Sequence, residues 1–587
     1  MNYSRSSISN YSSTHHIIIF VAMKTIYILF FAIISLFSFG QQIDYSAYNL
    51  HSPLDIPLVL AANFGELRTN HFHTGIDFKT NHRTGYNIHS IEDGYVSRVK
   101  VSPRGYGHVV YITHYNGLTS VYAHCESFTG QLQELKESRQ RHDEHFAFDY
   151  YPAKDSLKVL KGEIIAKSGN TGSSTAPHLH FEIRDTETED ALNPLLFNFD
   201  IKDTRSPRIR GLKMYSLTKE GYRVPGKSKR FNTYPSGSNF NIQGNKITIS
   251  SDYAGAEGGV GFSFDAIDQL NAANNICGIH KSYLLVNNDT LFSQDMSRIS
   301  FFTNRQINTH KDHEEFHNRR KHFHKSFKTI HNDLPVYRIQ QNNGIISVKP
   351  GESYDIKYIC YDTKGNHSSI TFQLNVLKGS QPRQIDLYPE EQKLYSDTPF
   401  MHSGDDHYIY FPQHLLYEPT PLIFSKTEEG ILFGNSEIPL DQYFEILLKT
   451  PLIASPEKYY IRYEDANGNF SPLLGNYNDG WISTKSRVFG HFEPKIDTIA
   501  PTIGNENFGN RSNVRGKKLI WRINDNESGI DQYDLYIDDK WHLLSWEPKK
   551  RAFFFTPPSN LSGTHIVKVV VQDNCENKTT KSYSLTF

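Results

Sequence analysis

Short runs rich in valine, isoleucine, tyrosine and threonine, each ended by turn-forming residues, recur along this 587-residue chain. In the first third of the chain such runs lie at residues 94–99, 109–113, 118–123 and 164–168. Runs of this length, bounded by glycine, are typical of β-strands rather than of helices. The content of aromatic residues, 13% of the chain, favours the same structure. We therefore predict a mainly β protein.

One segment departs from this pattern. Between Thr129 and about Glu144, the spacing of Leu132 and Leu135 on a mostly charged surface predicts a helix. The helix falls between two β-like runs, so we interpret it as an insertion on a β scaffold.

The chain is far longer than one hydrophobic core serves, so we expect several domains. The pattern D-T-x-x-P-x-I occurs at residues 203–209 and 497–503, where each copy would open a β domain with its proline on an edge strand. An aspartate followed four residues later by asparagine occurs at residues 362–366, 465–469 and 573–577, and these residue types form turns. Three such turns predict three β-sandwich (Ig-like) domains after a first domain at residues 41–200. We place the sandwiches at residues 203–378, 380–490 and 495–587.

The N-terminus is predicted to be a signal peptide over residues 1–40. A lysine precedes an uncharged apolar run at residues 26–39, and small residues occupy the −3 and −1 positions of a cut after Gly40. The run is too short for a comfortable membrane span. An uncleaved anchor, aided by the apolar residues 17–22, is the alternative. Met23 is an ordinary start for such a peptide, which would make the residues before it an extension or a long n-region. We expect export to the periplasm, the cell envelope or the medium.

Net charge and cysteine content narrow the function further. The net charge of −1 gives no field that would draw the protein onto nucleic acid or anionic lipid, so we expect no nucleic-acid partner. The four cysteines are scattered and form no CxxC pair, which argues against a disulfide framework and a cysteine zinc site. Cys125 follows His124 directly, but adjacent residues on a strand point to opposite faces and would not cooperate as a nucleophile pair.

Five polar residues that could form one site lie in three separate motifs of this histidine-rich chain. The segment N-H-F-H-T-G-I-D-F carries His73 and Asp77, V-Y-A-H-C carries His124, and A-P-H-L-H-F-E-I-R carries His178 and His180. Zinc hydrolases usually hold the ion with three nitrogen or oxygen side-chain ligands and leave a fourth position to water. Because alternate residues of a strand share one face, His178 and His180 face one side together. The five residues therefore supply three candidate ligands and two further imidazoles.

The order of these motifs, with G-Y-V, Y-G and G-N-T-G-x-S between them, resembles the lysostaphin-type zinc peptidases, a family that includes the LytM-like murein endopeptidases. The resemblance covers residues 62–195. It implies an antiparallel β-sheet peptidase domain with a duplicated hybrid motif. It also implies one Zn²⁺ ion bound by His73, Asp77 and His180, with His124 and His178 beside the metal-bound water and the scissile carbonyl.

The chemistry fits this division of roles. Zn²⁺ lowers the pKa of a bound water to about 7 and polarises a carbonyl, while two unligated imidazoles can move protons and stabilise the oxyanion. The motifs that carry the resemblance contain no H-E-x-x-H segment, so none of them supplies the glutamate base of the helical zincins. Glu182 lies on the same strand face as His180, where it would either support the ligand or form a structural salt bridge. His71 also makes an H-x-H pair with His73, but the family places the ligand four residues before the aspartate, which is His73.

Two features depart from the family pattern. Ala176 stands where the family commonly has glycine before Pro-His, which costs backbone freedom but removes no ligand. The stretch from Cys125 to Lys161 is longer than in compact members, and it is a candidate to line, cap or gate the groove. All five chemical positions are intact, which argues for activity.

We predict an exported zinc metalloendopeptidase that hydrolyses peptide cross-links between the stem peptides of bacterial peptidoglycan. One alternative is a catalytically silent regulator or scaffold of a separate wall hydrolase. Another is a structural or adhesive envelope protein whose β-sandwiches carry the function. The C-terminal β domains are candidates for contacts with envelope proteins.

A second group of six histidines runs from His310 to His331, among lysine, arginine and glutamate. A secondary metal-binding surface and a solvated charged loop or helix are the two interpretations, and we favour the second.

Overall fold

The computed structural model describes residues 45–254, 258–379, 387–388 and 393–587. The predicted signal peptide lies outside these ranges. Strands dominate the described residues, and helices are few and short. Within the described ranges no helix combines the length and hydropathy needed to cross a bilayer. The predicted fold class, mainly β with an N-terminal antiparallel sheet domain and further β-sheet domains, is confirmed.

The N-terminal domain contains most of a ten-stranded sheet and a separate three-stranded sheet. Its strands are β1 (Leu60–Ala62), β2 (Ile76–Lys79), β3 (Asn87–His89), β4 (Gly94–Val101), β5 (His108–His114), β6 (Leu118–Ala123), β7 (Ser127–Phe128), β8 (Phe148–Tyr150), β9 (Lys158–Val159), β10 (Ile164–Lys167), β11 (His178–Asp185) and β12 (Ala191–Leu192). The path of the large sheet is β1-β2-β11-β6-β5-β4-β8, and every pair along it is antiparallel. The small sheet has the order β3-β10-β7.

The inner strands of the large sheet form the core of this domain. All seven residues of β5 are buried, and β11 is buried over residues 179–184. Strands covered on both faces have nearly continuous apolar sequences, as β5 has with H-V-V-Y-I-T-H. Two of the predicted site residues, His178 and His180, lie on β11, one of these inner strands.

The predicted insertion contains helix α1 (Gly130–His142), which confirms the helical prediction for this segment. Leu132 is buried, and three basic residues lie in the last turn, where positive charge suits the helix dipole. After the helix, β8 and β9 both pair with β4, so the insertion returns to the edge of the large sheet.

The second domain contains a four-stranded and an eight-stranded sheet. Its elements are β13 (Arg208–Leu217), β14 (Arg223–Asn232), β15 (Tyr234–Ser236), β16 (Asn239–Asn241), β17 (Lys246–Ser250), β18 (Gly259–Ile267), β19 (Lys281–Val286), β20 (Asp289–Asp295), β21 (Arg298–Ile299), α2 (Ile307–His310), α3 (His313–Arg319), β22 (Phe323–Lys325), β23 (Tyr337–Gln340), β24 (Ser353–Tyr361) and β25 (His367–Leu377). The two sheets face each other, since Phe264 on β18 stacks on Tyr358 on β24 with ring centroids 3.8 Å apart. β21 pairs with β12 and so joins the sheet of the N-terminal domain.

The third domain packs two five-stranded sheets beside a two-stranded one. Its strands are β26 (Lys393–Leu394), β27 (Phe400–Ser403), β28 (His407–Phe411), β29 (Thr420–Pro421), β30 (Phe424–Lys426), β31 (Ile431–Phe433), β32 (Phe444–Lys449), β33 (Tyr459–Glu464), β34 (Phe470–Leu473), β35 (Asn476–Asn478), β36 (Trp481–Ser486) and β37 (Gly490–Ile496). One core contains Ile409 and Ile446 from one large sheet and Phe433 and Phe492 from the other. The two large sheets therefore form a sandwich.

The last domain consists of two four-stranded sheets. Its strands are β38 (Thr502–Gly504), β39 (Leu519–Asn524), β40 (Ile530–Ile537), β41 (Lys540–His542), β42 (Ser545–Glu547), β43 (Ala552–Phe555), β44 (Thr564–Asp573) and β45 (Lys578–Thr586). Their shared core contains Trp521 and Phe553 from one sheet and Val569 and Leu585 from the other. The Ig-like class and the domain boundaries stay predictions.

The three aspartate–asparagine motifs form the turns predicted from the sequence. They close the hairpins β24–β25, β33–β34 and β44–β45, and in each the aspartate Oδ1 accepts a hydrogen bond from the backbone N–H four residues later, at 2.9, 2.9 and 2.8 Å. Such side-chain to backbone bonds explain why aspartate recurs at these positions.

The predicted solvated loop or helix is wrong for two of the histidines from His310 to His331, whereas His317 is exposed. His310 ends α2, and His324 lies in β22, which pairs with β18 in the four-stranded sheet. Both are buried, and His310 Nε2 lies 3.0 Å from His324 Nδ1. The charged residues around them gave no sequence signal for β22, because its partner strand β18 lies about 60 positions earlier in the chain.

Candidate metal centre

The predicted site residues meet where β2, β11 and β6 lie side by side. In the strand register His180 on β11 is opposite Asp77 on β2, and the other neighbour of β11 is the end of β6, directly before His124. His178 begins β11 two residues earlier and shares the face of His180. His73 lies in the turn before β2. Strand pairing therefore brings together residues up to 107 positions apart in the chain.

Gly75, in the turn T-G-I-D, allows that turn to approach β11. A Cβ atom at this position would lie 2.5 Å from the carbonyl oxygen of Phe181 and 2.9 Å from the ring of His180. No side chain fits such contacts, so glycine is required if His73 is to face His180.

Three candidate ligand atoms lie close together in the site. His73 Nε2 lies 3.1 Å from His180 Nδ1 and 3.2 Å from Asp77 Oδ1, and His180 Nδ1 lies 2.9 Å from Asp77 Oδ1. Ligands at the usual zinc distances of about 2.0–2.1 Å are about 3.3 Å apart in a tetrahedral site. The three residues therefore fit a small divalent ion, and their donor set of two imidazoles and one carboxylate suits zinc.

Hydrogen bonds determine which nitrogen of each histidine is free for an ion. His73 Nδ1 donates to the carbonyl oxygen of Asn63 at 2.7 Å, and His180 Nε2 donates to Glu182 Oε1 at 2.9 Å. These bonds leave Nε2 of His73 and Nδ1 of His180 facing Asp77, with fixed ring orientations.

Glu182 is fully buried. It both accepts a hydrogen bond from His180 and forms a salt bridge with Arg184, the two roles that the sequence left open. Its Oε1 accepts hydrogen bonds from His180 and Thr74, and Arg184 contacts Oε2 at 2.6 Å. Burial raises the pKa of Glu182, but Arg184 and His180 outweigh burial and hold that pKa well below its ordinary value. A permanently charged Glu182 keeps Nε2 of His180 protonated.

The charge balance of the ligands favours a cation. Burial lowers the pKa of His180, but its hydrogen bonds to the carboxylates of Asp77 and Glu182 raise it to about 9. Burial likewise raises the pKa of Asp77, but His73 and His180 hold it well below its ordinary value. At neutral pH a metal ion would therefore displace a proton from His180 Nδ1.

His124 and His178 lie beside the three ligand atoms. Their ring centroids are 4.8 Å apart, and the ring of His124 lies 6.0 Å from that of His180. Each Nδ1 lies close to a backbone carbonyl oxygen, that of Thr171 at 2.9 Å and that of Ala176 at 2.8 Å, so Nε2 of each ring is left for other partners. Burial and the nearby His180 lower the pKa of His124 to about 3, which keeps this imidazole neutral at pH 7.

The two departures from the family pattern have different outcomes. Ala176 contributes its carbonyl oxygen to His178, a contact that needs no glycine. The insertion from Cys125 to Lys161 forms α1, β8 and β9, and its role at the groove stays a prediction. The Cys125 thiol is buried and faces the carbonyl oxygen of Tyr122 at 3.5 Å, and burial raises its pKa to about 12, which favours the protonated thiol over a nucleophilic thiolate.

Tyr106 and Asn63 were not predicted as site residues. Tyr106 stacks on His180 with ring centroids 5.1 Å apart and donates a hydrogen bond to Glu182. The Y-G turn that contains it was noted in the sequence, but nothing local indicated where its ring would point. Asn63 acts through its backbone carbonyl, for which no residue type is a signal.

Lys549 of the last domain also reaches the site. Its Nζ donates to the carbonyl oxygens of Asn170 at 2.5 Å and Ser174 at 2.8 Å, in the loop that precedes His178. The contact joins residues 375 or more positions apart, so no sequence pattern could reveal it.

Several known proteins are similar to this part of the chain. The model of peptidase family M23 matches residues 71–140 and 145–194. The DD-carboxypeptidase/endopeptidase Mpg of Neisseria meningitidis serogroup B is 34% identical over 118 residues, which are 20% of this chain and 21% of Mpg. A metalloprotease of Haemophilus influenzae is 33% identical over 123 residues, 21% of this chain and 20% of that protein. The chain thus spans about a fifth of the length of these curated relatives.

Solved structures match the same region. The catalytic domain of lysostaphin from Staphylococcus simulans is 23% identical and covers 24% of this chain and 90% of that domain, with a TM-score of 0.18. The catalytic domain of the prophage-encoded M23 protein EnpA from Enterococcus faecalis is 24% identical and covers 26% of this chain and 95% of that domain, with a TM-score of 0.18. Farther along the chain, the model of a Zu5-like domain matches residues 391–497.

The M23 match spans all five predicted site residues, in the order in which their motifs were found in the sequence. The N-terminal domain is thus similar to peptidase family M23, and we refer to it below as the M23 domain.

Proposed function

We propose that the M23 domain is a zinc-dependent endopeptidase that cleaves peptide cross-links of bacterial peptidoglycan, in a protein exported to the cell envelope. The supporting observation is the group of three ligand atoms 2.9–3.2 Å apart. Nδ1 of His73 and Nε2 of His180 already donate to Asn63 and Glu182. The other ring nitrogens, Nε2 of His73 and Nδ1 of His180, therefore face each other and Asp77. A cation stabilises such an arrangement.

His73, Asp77 and His180 would hold the ion. Zn²⁺ bound there would supply Lewis acidity at the scissile carbonyl and lower the pKa of a water molecule. Tyr106 and Glu182 keep His180 in place through stacking and a hydrogen bond.

His124 and His178 would perform the proton transfers. His124 is neutral at pH 7, so its Nε2 can accept a proton or, once protonated, stabilise a developing oxyanion. His178 is the most exposed imidazole of the site, and its Nε2 lies 3.6 Å from Asp77 Oδ1. At this open side it can pass a proton to the leaving amine.

The substrate class has separate support. The relative Mpg is named a DD-carboxypeptidase/endopeptidase, and this name describes Mpg itself rather than the present chain. The signal peptide predicted at residues 1–40 would bring this chain to the compartment where peptidoglycan lies. We therefore favour the cross-link between stem peptides as the bond that is cleaved.

Digestion of purified peptidoglycan tests the proposal. Zinc-loaded wild-type protein should convert cross-linked muropeptide dimers to monomers, as followed by liquid chromatography and mass spectrometry. Asp77→Ala should leave the dimers intact, and His317→Ala, on the exposed face of α3, should act as wild type. If the zinc-loaded wild type leaves the dimers unchanged, the enzymatic proposal is wrong and a regulatory role is favoured.

A further inference from the structure

A cluster of three aspartates lies in the second domain, outside the candidate peptidase site. Asp203 comes from the D-T-x-x-P-x-I segment, Asp268 follows β18 directly, and Asp362 lies in the β24–β25 turn. One carboxylate oxygen of each lies within 4.8 Å of the others. Both repeated sequence motifs thus meet here, and the peptidase function makes no use of them.

Asp268 is the member whose surroundings require explanation. It is only 2% exposed, and its Oδ1 has no hydrogen-bond partner. Among the described residues, no lysine or arginine forms an ion pair with Asp203, Asp268 or Asp362. Burial, with Asp203 adding to it, raises the pKa of Asp268 to about 8. An ionised Asp268 with one unpartnered oxygen and no counter-charge is costly in these surroundings, so the cluster favours either a proton or a cation at Asp268.

The last domain contains the same arrangement of three aspartates, and there hydrogen-bond donors satisfy the carboxylates. Asp497, Asp525 and Asp573 occupy the matching positions in the second D-T-x-x-P-x-I segment, after β39 and in the β44–β45 turn. Asp525, the counterpart of Asp268, accepts hydrogen bonds from the backbone N–H groups of Glu527 and Gly529 at 3.1 and 2.7 Å. Ser528 donates its N–H and its hydroxyl to Asp497 at 3.1 and 2.6 Å. In the second domain the residue three after the central aspartate is Asn271, which bonds to Thr204 instead. The second domain therefore lacks the donors that its counterpart has.

We propose that Asp203, Asp268 and Asp362 bind a Ca²⁺ ion. Carboxylate oxygens are the ligands that hard divalent cations prefer, and two ligands on opposite sides of Ca²⁺ are about 5 Å apart, which suits the span of this cluster. Asp203 is half-buried, so water can complete the coordination from its side. The ion supplies the counter-charge that Asp268 lacks.

The calcium site is connected to the candidate zinc ligand His73. Asp268 exchanges two backbone hydrogen bonds with Cys277, at 2.8 and 2.9 Å. The next residue, Gly278, exchanges two bonds with the side chain of Asn63, at 2.7 and 2.8 Å. The carbonyl oxygen of Asn63 accepts the bond from His73 Nδ1. Ca²⁺ would thus stabilise the support of His73, and only this last consequence rests on the proposed function.

Calorimetric titration of CaCl₂ into the full chain tests the site, after EDTA treatment and reloading with one equivalent of Zn²⁺. Wild type should bind one Ca²⁺ ion, with a Kd on the order of 10⁻⁴ M as in extracellular calcium modules. Asp268→Asn should bind at least tenfold more weakly. Asp525→Asn, the matched change in the hydrogen-bonded cluster, should bind as wild type.

A second variant distinguishes loss of a Ca²⁺ ligand from misfolding of Asp268→Asn. Asp203→Asn changes a half-buried residue, and it should also weaken Ca²⁺ binding at least tenfold while circular dichroism stays that of wild type. Absence of Ca²⁺ binding by wild type, or wild-type binding by both variants, would overturn the proposal. Neither readout depends on peptidase activity, so failure of the enzymatic proposal would leave this test intact.

Discussion

Two pairs of buried histidines in this molecule have the same separation and opposite electrostatic surroundings. In the M23 domain His73 Nε2 lies 3.1 Å from His180 Nδ1, and in the second domain His310 Nε2 lies 3.0 Å from His324 Nδ1. All four residues are buried. The distance between two imidazoles therefore does not distinguish a metal centre from a packed core.

Carboxylates make the difference. Hydrogen bonds to Asp77 and Glu182 raise the pKa of His180 to about 9 against the effect of burial. Burial lowers the pKa of His324 to about 3 and that of His310 well below its ordinary value, with no carboxylate to oppose it. Among the described residues, the second pair belongs to no group of three candidate ligands. A neighbouring aspartate, rather than a density of histidines, indicates the metal site.

The sharpest test within the M23 domain separates ligands from proton-transfer groups. His124→Ala and His178→Ala should each lower peptidase activity by about 10²–10⁴-fold, the usual contribution of a general acid or base. Zinc should stay bound in both variants, because neither ring contributes to the three ligand atoms. Cleavage of a cross-linked muropeptide dimer, with metal content determined on the same samples, checks this. Zinc loss in either variant would make that residue a ligand.

Removal of a histidine from the second pair should affect stability alone. His310→Ala deletes a buried ring, removes one of the two partners of the Tyr337 hydroxyl and leaves Nδ1 of His324 without its partner, which should cost about 2–4 kcal/mol in the free energy of unfolding. Zinc content should not change. His317→Ala, on the exposed face of α3, is the matched control and should stay within about 0.5 kcal/mol of wild type. Both quantities can be measured by denaturant unfolding and elemental analysis, and loss of zinc from His310→Ala would break the comparison.

Acid should weaken the packing around the second pair. The folded state keeps His324 neutral down to a pKa of about 3, whereas the unfolded chain takes up a proton near pH 6.5. Between these values the unfolded state binds more protons, so the free energy of unfolding falls as pH falls below 6.5, by about 2 kcal/mol at pH 5 for one such residue. Hydrogen exchange of β22 at pH 7.5 and pH 5, corrected for the intrinsic rate, should show this loss of protection. Equal protection at both values would contradict the assignment of a neutral buried ring.

The candidate site was largely predictable because its signals are local. The i, i+2 spacing of His178 and His180 and the turn before Asp77 determine which way the side chains point once the segments are strands. The structure brings the three predicted ligands together, while their roles stay predictions. The strand positions, helix α1 and the aspartate turns also follow from local patterns.

What the sequence did not reveal depends on long-range packing. His310 and His324 lie among charged residues, and their burial comes from pairing of β22 with β18. Lys549 reaches the loop before His178 from the last domain. Asn63 acts through a backbone carbonyl. None of these contacts leaves a pattern in the residues near it, because each is created by the fold of distant segments.

The central claim is that one of the two histidine pairs binds zinc and the other does not. Elemental analysis of purified wild type, His180→Ala and His324→Ala measures this directly, under identical zinc loading and dialysis. We expect one zinc ion per chain in wild type and in His324→Ala, and less than about a tenth of that in His180→Ala, since loss of one of three protein ligands removes most of the affinity. Equal zinc in wild type and His180→Ala, or loss of zinc from His324→Ala alone, would contradict the account.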